Sequence, residues 1–152
     1  ILYRDKAWLF SGHSGMGKST HTALWHELFQ TPYLNGDLNL IGSQNGSLCV
    51  YGIPWCGTSG IYTTRQYPLG GIILLGRHPD QDVMDELSTQ EKILRVMQRM
   101  ISPAWTSELL DQNLSFASKI ADTVPVLHLS CTMHPSAAQT AREAIDRLED
   151  LS

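Results

Sequence analysis

The chain has few of the features that mark secreted or membrane-spanning proteins. Only three cysteines occur in 152 residues, and no two of them stand in C-x-x-C spacing. Neither a disulfide framework nor a zinc site is therefore indicated. The longest uncharged apolar run, residues 69–76, is far too short to span a bilayer, and no charged segment followed by a long apolar run opens the chain. We expect reduced thiols, a cytoplasmic location and no membrane partner.

The chain also lacks any segment that is strongly charged with one sign. Charged residues make up 17% of the chain, the net charge is -4, and lysine and arginine are scattered without a basic stripe. Nucleic acid is therefore not an expected partner. The length fits one domain over residues 1–152. Because the chain opens at Ile1 without a methionine, in strand-like sequence, we expect it to be part of a longer protein with further strands upstream.

One segment does carry a chemical signature. Residues 12–19 match the Walker A phosphate-loop pattern G-x-x-x-x-G-K-S/T at every fixed position. Such a loop needs a strand before it and a helix after it. Residues 7–11 form a short apolar run typical of a buried strand, and residues 18–29 lack glycine and proline and have apolar residues at helical spacing. The context of the pattern therefore favours a phosphate-binding loop.

The pattern predicts which groups bind the ligand. Backbone N–H groups of the loop and the positive end of the following helix attract phosphate. Lys18 is expected to reach the β- and γ-phosphates, and Ser19 to place its hydroxyl on Mg²⁺. Thr20 is a second hydroxyl nearby. The predicted ligand is ATP or another nucleoside triphosphate with Mg²⁺, and its predicted binding residues are Gly12, His13, Ser14, Gly15, Met16, Gly17, Lys18, Ser19 and Thr20.

Asp37 is the predicted second ligand of the metal. Residues 33–41 alternate between apolar and polar positions, which predicts a strand, and Asp37 is the first acidic residue after the loop helix in such sequence. A phosphate loop needs a carboxylate that holds Mg²⁺, often through water. The alternative is that Asp37 is a turn residue beside Gly36.

The remaining sequence predicts an α/β fold with a mixed sheet. Residues 1–10 indicate a hairpin, Asn45-Gly46 indicates a turn between strands 38–43 and 48–51, and residues 69–75 indicate a central strand buried on both faces. The later predicted elements are a loop over 80–85, helices from Ser88 to Met100 and from Pro103 to about Ala121, a strand over 124–131 and a terminal helix after His134. Pro125 indicates that the strand over 124–131 either lies at an edge of the sheet or begins near this proline.

Two further predictions concern residues outside the loop pattern. Residues 52–60 are too irregular for a strand or helix; they either close over the phosphates or cross the structure with Trp55 packed in the core. Arg65 and Arg77 flank the central strand and are candidates for stabilising the charge of a transferred phosphoryl group, although such arginines are commonly solvated surface charges.

Together these segments resemble the HPr kinase and phosphoenolpyruvate carboxykinase-like group of phosphate-loop proteins. Residues 11–21 resemble its loop, residues 35–37 lie where its paired-aspartate segment stands, and residues 51–57 resemble its Gly-x-Pro-Trp-x-Gly segment. The spacing to Tyr67-Pro68-Leu69 and Val124-Pro125-Val126 also fits, so the resemblance covers nearly the whole chain. It implies a phosphate-loop-containing mixed sheet with flanking helices.

The resemblance also implies an activity. It implies an ATP- and Mg²⁺-dependent kinase in which Lys18 and Asp37 serve catalysis, Ser19 and Asp37 hold the metal, and a serine hydroxyl on a peptide or protein attacks the γ-phosphate. This chain departs from the group at one position: the first of the paired aspartates, which takes the acceptor proton, is replaced by Gly36. Phosphoryl transfer depends largely on positioning and electrostatics, so this loss slows transfer rather than abolishing it.

Two function classes therefore stay open. The leading interpretation is a kinase that acts on a serine-bearing peptide or protein, and the alternative is a nucleotide-binding regulatory module without phosphotransfer activity. Carboxykinase chemistry on a small keto acid is less favoured, because 152 residues leave little room for the additional substrate domain of those enzymes. A homo-oligomer is compatible with the sequence.

Overall fold

The computed structural model describes residues 1–57 and 59–151, which form a seven-stranded mixed sheet and four helices. The strands are β1 (Leu2–Tyr3), β2 (Lys6–Ser11), β3 (Leu40–Gln44), β4 (Ser47–Tyr51), β5 (Gln66–Arg77), β6 (Val83–Glu86) and β7 (Val126–Cys131). The helices are α1 (Lys18–Phe29), α2 (Thr89–Met97), α3 (Ser107–Thr123) and α4 (Pro135–Asp150). The predicted α/β class with a mixed sheet and flanking helices is confirmed.

The centre of the sheet is parallel, and its edges are antiparallel. Strand β5 pairs in parallel with β2 on one side and with β7 on the other. The edge strands β1 and β6 run antiparallel to β2 and β7, and the predicted hairpin of β3 and β4 pairs with the beginning of β5. The carboxyl ends of β2, β5 and β7 therefore share one edge of the sheet, which is where open α/β sheets bind ligands.

Helices cover both faces of the sheet, and each pair of helices closes its own core. On the α1 and α4 face the largest fully buried side chains are Trp8, Trp25, Ile73, Leu129 and Ile145. On the α2 and α3 face the buried side chains include Leu74, Val96, Ala117, Ile120 and Val126. Burial on both faces explains why residues 69–75 are apolar without alternation, as predicted. The three cysteines all lie within the described residues and are free thiols.

The prediction of a strand over residues 33–41 is wrong before Leu40. Residues 33–39 join α1 to β3, and their backbone groups pair with the segment after β4 instead of with a strand of the sheet. The Gly36 N–H donates to the Ile61 carbonyl at 3.0 Å, and the Leu38 N–H donates to the Trp55 carbonyl at 3.2 Å. Of the alternating residues Leu34, Leu38 and Leu40, only Leu34 is buried in the core, so the alternation does not correspond to one buried face.

Three other predicted elements differ from the structure. Residues 83–86, predicted to be part of a loop, form the edge strand β6. Strand β7 therefore lies inside the sheet, and Pro125 directly precedes it, so of the two alternatives for Pro125 the strand beginning is confirmed and the edge position is wrong. The helix predicted from Pro103 begins at Ser107, because the Thr106 hydroxyl caps it by accepting from the Leu109 N–H at 3.3 Å. The capping box predicted at Ser88 is confirmed, although α2 ends at Met97 and not at Met100.

No helix within the described ranges is long and apolar enough to cross a membrane.

The packing of Trp8 against β5 gives a test of the core. A Cβ atom at Gly71 would lie 2.6 Å from Cζ3 of Trp8 and 2.8 Å from the Pro125 carbonyl oxygen, and this backbone atom cannot move aside. We expect Gly71→Ala to lower the free energy of unfolding by about 3 kcal/mol. Urea denaturation measures the loss. In the control Gly42→Ala, the new Cβ meets only the ring of Tyr51, at 2.9 Å, so we expect a clearly smaller loss. Equal losses would contradict this packing.

Buried His21 gives the fold a pH dependence. Burial lowers its pKa to about 4 from 6.5, and its Nε2 accepts a hydrogen bond from Trp25 Nε1 at 3.2 Å. The unfolded chain therefore takes up a proton at higher pH than the folded chain does. His21 stabilises the fold fully above about pH 6.5, and this stabilisation is lost progressively as the pH falls towards 4.

The expected loss from this one residue is about 2 kcal/mol between pH 8 and pH 5. Urea denaturation at both pH values should show a loss about 2 kcal/mol smaller in His21→Gln, which keeps an acceptor for Trp25 and does not titrate, than in the wild type. The loss that remains in the variant includes that of the buried Ile1 amino group, whose pKa burial lowers to about 5. His26→Gln, which changes an exposed histidine on the same helix, is the control. A wild-type slope retained in His21→Gln would refute the assignment.

Candidate functional site

Strand β2 leads through a short glycine loop, residues 12–17, into α1. Gly15 and Gly17 have φ angles of 75° and 97°, in the left-handed region that favours glycine. A turn inside the loop is closed by the Met16 N–H, which donates to the His13 carbonyl at 3.1 Å. The strand, loop and helix thus follow one another as the Walker A pattern predicts.

The loop rests on the core through one side chain. Met16 is partly buried and packs against the core on the α1 and α4 face, whereas His13, Ser14 and Gly15 are exposed. A Cβ atom at Gly12 would lie 3.1 Å from Cγ of Met16, so glycine at this position lets the methionine approach the loop closely. The loop is therefore anchored at its base and open towards solvent at its tip.

The amino end of α1 is not capped by a side chain. Gly17 occupies the N-cap position. The first turn of the helix lies wholly within the described residues and contains no acidic residue. Helices α2 and α3, in contrast, are capped by Ser88 and Thr106. The first N–H groups of a helix need partners, and the helix dipole makes this end positive. An open end of this kind, reached through a glycine loop, suits an anion such as phosphate.

Three cationic side chains contact the glycine loop. The Lys18 ammonium donates to the carbonyls of Gly12 and His13 at 3.0 and 3.1 Å. The Arg77 guanidinium, from the carboxyl end of β5, donates to the Gly15 carbonyl. Together with the positive end of the α1 dipole, these charges surround the glycine loop.

The third cation is Arg99, which follows α2. Its Nη1 and Nη2 atoms lie 3.0 and 2.7 Å from Nδ1 and Nε2 of His13. A neutral imidazole has only one nitrogen that accepts, so at most one of the two contacts is a hydrogen bond. The other contact comes from the guanidinium lying against the ring. This arrangement ties the end of α2 to the tip of the loop.

Asp37 lies away from these contacts. Its side chain is exposed, and its N–H donates to Oδ1 of Asn35 at 2.8 Å, which closes a turn. Its carboxylate lies beside Gly57, where a Cβ atom would stand 3.3 Å from Oδ2. Within the described ranges, no hydrogen bond or ion pair joins Asp37 to Lys18 or Ser19.

The metal site thus stays a prediction. Ser19 and Thr20 stand exposed in the first turn of α1, and the hydroxyl of Ser19 and the carboxylate of Asp37 are oxygen donors of the kind that Mg²⁺ accepts. The part of the chain that the structure describes holds no group of three or more His, Cys, Asp or Glu side chains able to bind a metal ion. The donor types therefore fit Mg²⁺, with the remaining ligands left to phosphate and water.

Gly36 stands where the resembled group has the aspartate that accepts the proton. The neighbouring residues leave no room for a side chain at this position. A Cβ atom there would lie 2.0 Å from Oγ of Ser59. This hydroxyl donates to the Cys56 carbonyl at 2.6 Å and accepts from the Ile61 N–H at 3.2 Å, so it fastens the neighbouring loop. An aspartate at position 36 would have to displace Ser59.

The segment after β4 is irregular, as predicted, but one interpretation of it is wrong. Trp55 is 67% exposed and is not packed in the core. Thr58, in the same segment, lies outside the described residues. Of the two candidate arginines, Arg77 contacts the glycine loop, whereas Arg65 precedes β5 and lies at the opposite end of that twelve-residue strand.

A cleft of about 270 Å³ opens beside the glycine loop on the α2 and α3 face. Its lining includes Gly12 and His13 from the loop, Arg95 and Arg99 from the α2 region, and His128 from β7. Sequence reasoning missed these two arginines and the histidine. The spacing of Arg95 and Arg99 on one side of a predicted helix was a signal for the pair. His128 reaches the cleft because β7 pairs with β5, and no pattern among neighbouring residues predicts this long-range pairing.

No known protein family, curated protein or solved structure matches this chain. A function therefore has to be inferred from the chemistry of the glycine loop, the cations around it and the adjoining cleft.

Proposed function

We propose that this domain is a kinase of HPr kinase-like type, which binds ATP or another nucleoside triphosphate with Mg²⁺ and transfers the γ-phosphoryl group to a serine-bearing peptide or protein. The observation that carries the proposal is the uncapped amino end of α1 behind a glycine loop that Lys18, Arg77 and Arg99 all contact. A triphosphate is the common biological ligand that suits so many positive groups at one loop.

The first step is phosphate binding by residues 12–20. Loop and helix N–H groups donate to the phosphate oxygens, and the helix dipole favours their charge. Lys18 now donates to two neutral carbonyls. A phosphate oxygen is a charged acceptor and forms the stronger hydrogen bond, so the ammonium turns to the β- and γ-phosphates when nucleotide binds.

The metal completes the charge balance. Mg²⁺ neutralises charge on the β- and γ-phosphates when bound. Ser19 and Asp37 are the residues of this chain that would hold it, because they provide a hydroxyl and an exposed carboxylate. These two residues also stand at the positions that hold the metal in the group that the chain resembles.

The transfer itself needs positioning and positive charge around the phosphoryl group. Arg77 and Arg99 reach the loop from β5 and from the end of α2, so they approach a bound nucleotide from two sides. The exposed tip of the loop and the cleft beside it leave space for a serine side chain of a peptide. Together, these features support a phosphoryl acceptor that enters from solvent.

The alternative is a nucleotide-binding regulatory module without transfer activity. The closure of position 36 by Ser59 favours it, because the usual proton acceptor is missing and cannot be restored without rearranging the loop. In that case bound nucleotide controls a partner through the exposed loop residues.

Labelled ATP separates the two functions. We expect the wild type to move γ-label from ATP to serine peptides in the presence of Mg²⁺, and Lys18→Ala to lower the rate at least about 100-fold, because charge stabilisation is lost. Lys119→Ala is the matched control, since this exposed lysine lies on α3 and its ammonium donates to Oγ of Ser43, away from the glycine loop. Tight ATP binding without transfer or hydrolysis favours the module. Failure to bind ATP contradicts both functions.

A further inference from the structure

A carboxylate and an imidazole face each other in the sheet beside the glycine loop, and the proposed nucleotide site uses neither. Asp85 on β6 and His128 on β7 are directly opposite each other in the antiparallel pair. Nδ1 of His128 lies 3.4 Å from Oδ2 of Asp85. The contact is close enough for the carboxylate to orient the ring, although long for a strong hydrogen bond.

The other ring nitrogen faces the loop side of β7. A Cβ atom at Gly76 would lie 2.8 Å from Nε2 of His128. Gly76 belongs to β5, which separates β7 from β2, whose end leads into the glycine loop. Nδ1 therefore points to β6, and Nε2 lies on the opposite side of the ring, over Gly76 of β5. The missing side chain at Gly76 provides the space that the ring occupies.

The side chain of His128 also lines the cleft beside the glycine loop. Its side chain is 21% exposed and lines the cleft together with Ser11 and Gly12. Ser11 and His128 are both paired with Leu74, from opposite sides of β5. Their Cα atoms are thus about 10 Å apart, two strand spacings, with the cleft between the loop and the imidazole.

We propose that the Asp85–His128 pair supplies the general base that position 36 lacks; this inference rests on the proposed kinase function. Nε2 of His128 takes the proton of the acceptor serine hydroxyl as its oxygen bonds to the γ-phosphorus. The bond from that phosphorus to the β–γ bridging oxygen breaks, and ADP leaves. Asp85 is a positioning residue, because it accepts from Nδ1–H and so keeps the lone pair on Nε2. The proton then passes from His128 to solvent.

The charged and titratable groups around His128 affect how the pair responds to pH. Those that face it from the elements packed around it are Asp85 on β6, Glu91, Arg95 and Arg99 on or after α2, and His13 in the loop. The test therefore compares variants of the pair with the wild type over the whole pH range, so that the neighbouring groups contribute equally to each profile.

Single-turnover transfer from labelled ATP to a serine peptide, measured from pH 5.5 to 8.5, tests the pair. We expect His128→Gln to bind MgATP like the wild type, to transfer about 100-fold more slowly, and to lose the fall in rate towards acid pH. Asp85→Asn should transfer about 10-fold more slowly while keeping that fall. His134→Gln removes an exposed histidine outside the cleft and should change nothing.

Four other outcomes would contradict the proposed role of the Asp85–His128 pair, each for a different reason. Wild-type rates in His128→Gln would overturn it directly. A slower variant that keeps the fall in rate at acid pH would show that His128 is only structural. A wild type that binds MgATP but releases no γ-phosphoryl group would overturn the base and the transfer, yet not nucleotide binding. A wild type without MgATP binding would overturn the proposed function itself.

Discussion

The open amino end of α1 is the feature on which the rest of the site depends. A glycine loop delivers the chain from β2 to this helix, and glycine at position 17 leaves its first N–H groups without a side-chain partner. The whole chain carries a net charge of -4, yet Lys18, Arg77 and Arg99 converge on this one loop. Positive charge is thus concentrated at a helix end that no side chain caps, an arrangement that suits a polyphosphate.

The parallel centre of the sheet explains how distant residues reach this point. Strands β2, β5 and β7 end at the same edge, so the glycine loop, Arg77 and the segment after β7 become neighbours. The α2 region reaches the loop from the opposite face to α1, through the contact of Arg99 with His13. Two separate cores hold these layers in place, and Met16 ties the loop to one of them. The site is therefore built on rigid elements, although its ligand-facing residues are exposed.

Much of the fold was predictable because its strongest signals are local. The glycine loop, α1, the Asn45-Gly46 hairpin and the capping box at Ser88 each follow from neighbouring residues. The failures come from long-range pairing. Residues 33–39 have strand-like alternation but bond to the loop after β4, and β6 is recognisable only once β7 is beside it. For the same reason, no sequence pattern predicts the contact of Arg99 with His13, 86 residues away, or the Asp85–His128 pair.

Every function proposed for this chain requires that the glycine loop bind a nucleoside triphosphate, and melting with and without MgATP measures that binding. A ligand that binds only the folded state at about 100 times its dissociation constant adds about 2.7 kcal/mol. For a domain of this size, that raises the melting temperature by roughly 5–10 °C. We predict a rise of this order at millimolar MgATP in the wild type and little or none in Lys18→Ala. An unchanged melting temperature in the wild type would show that the loop does not bind the nucleotide.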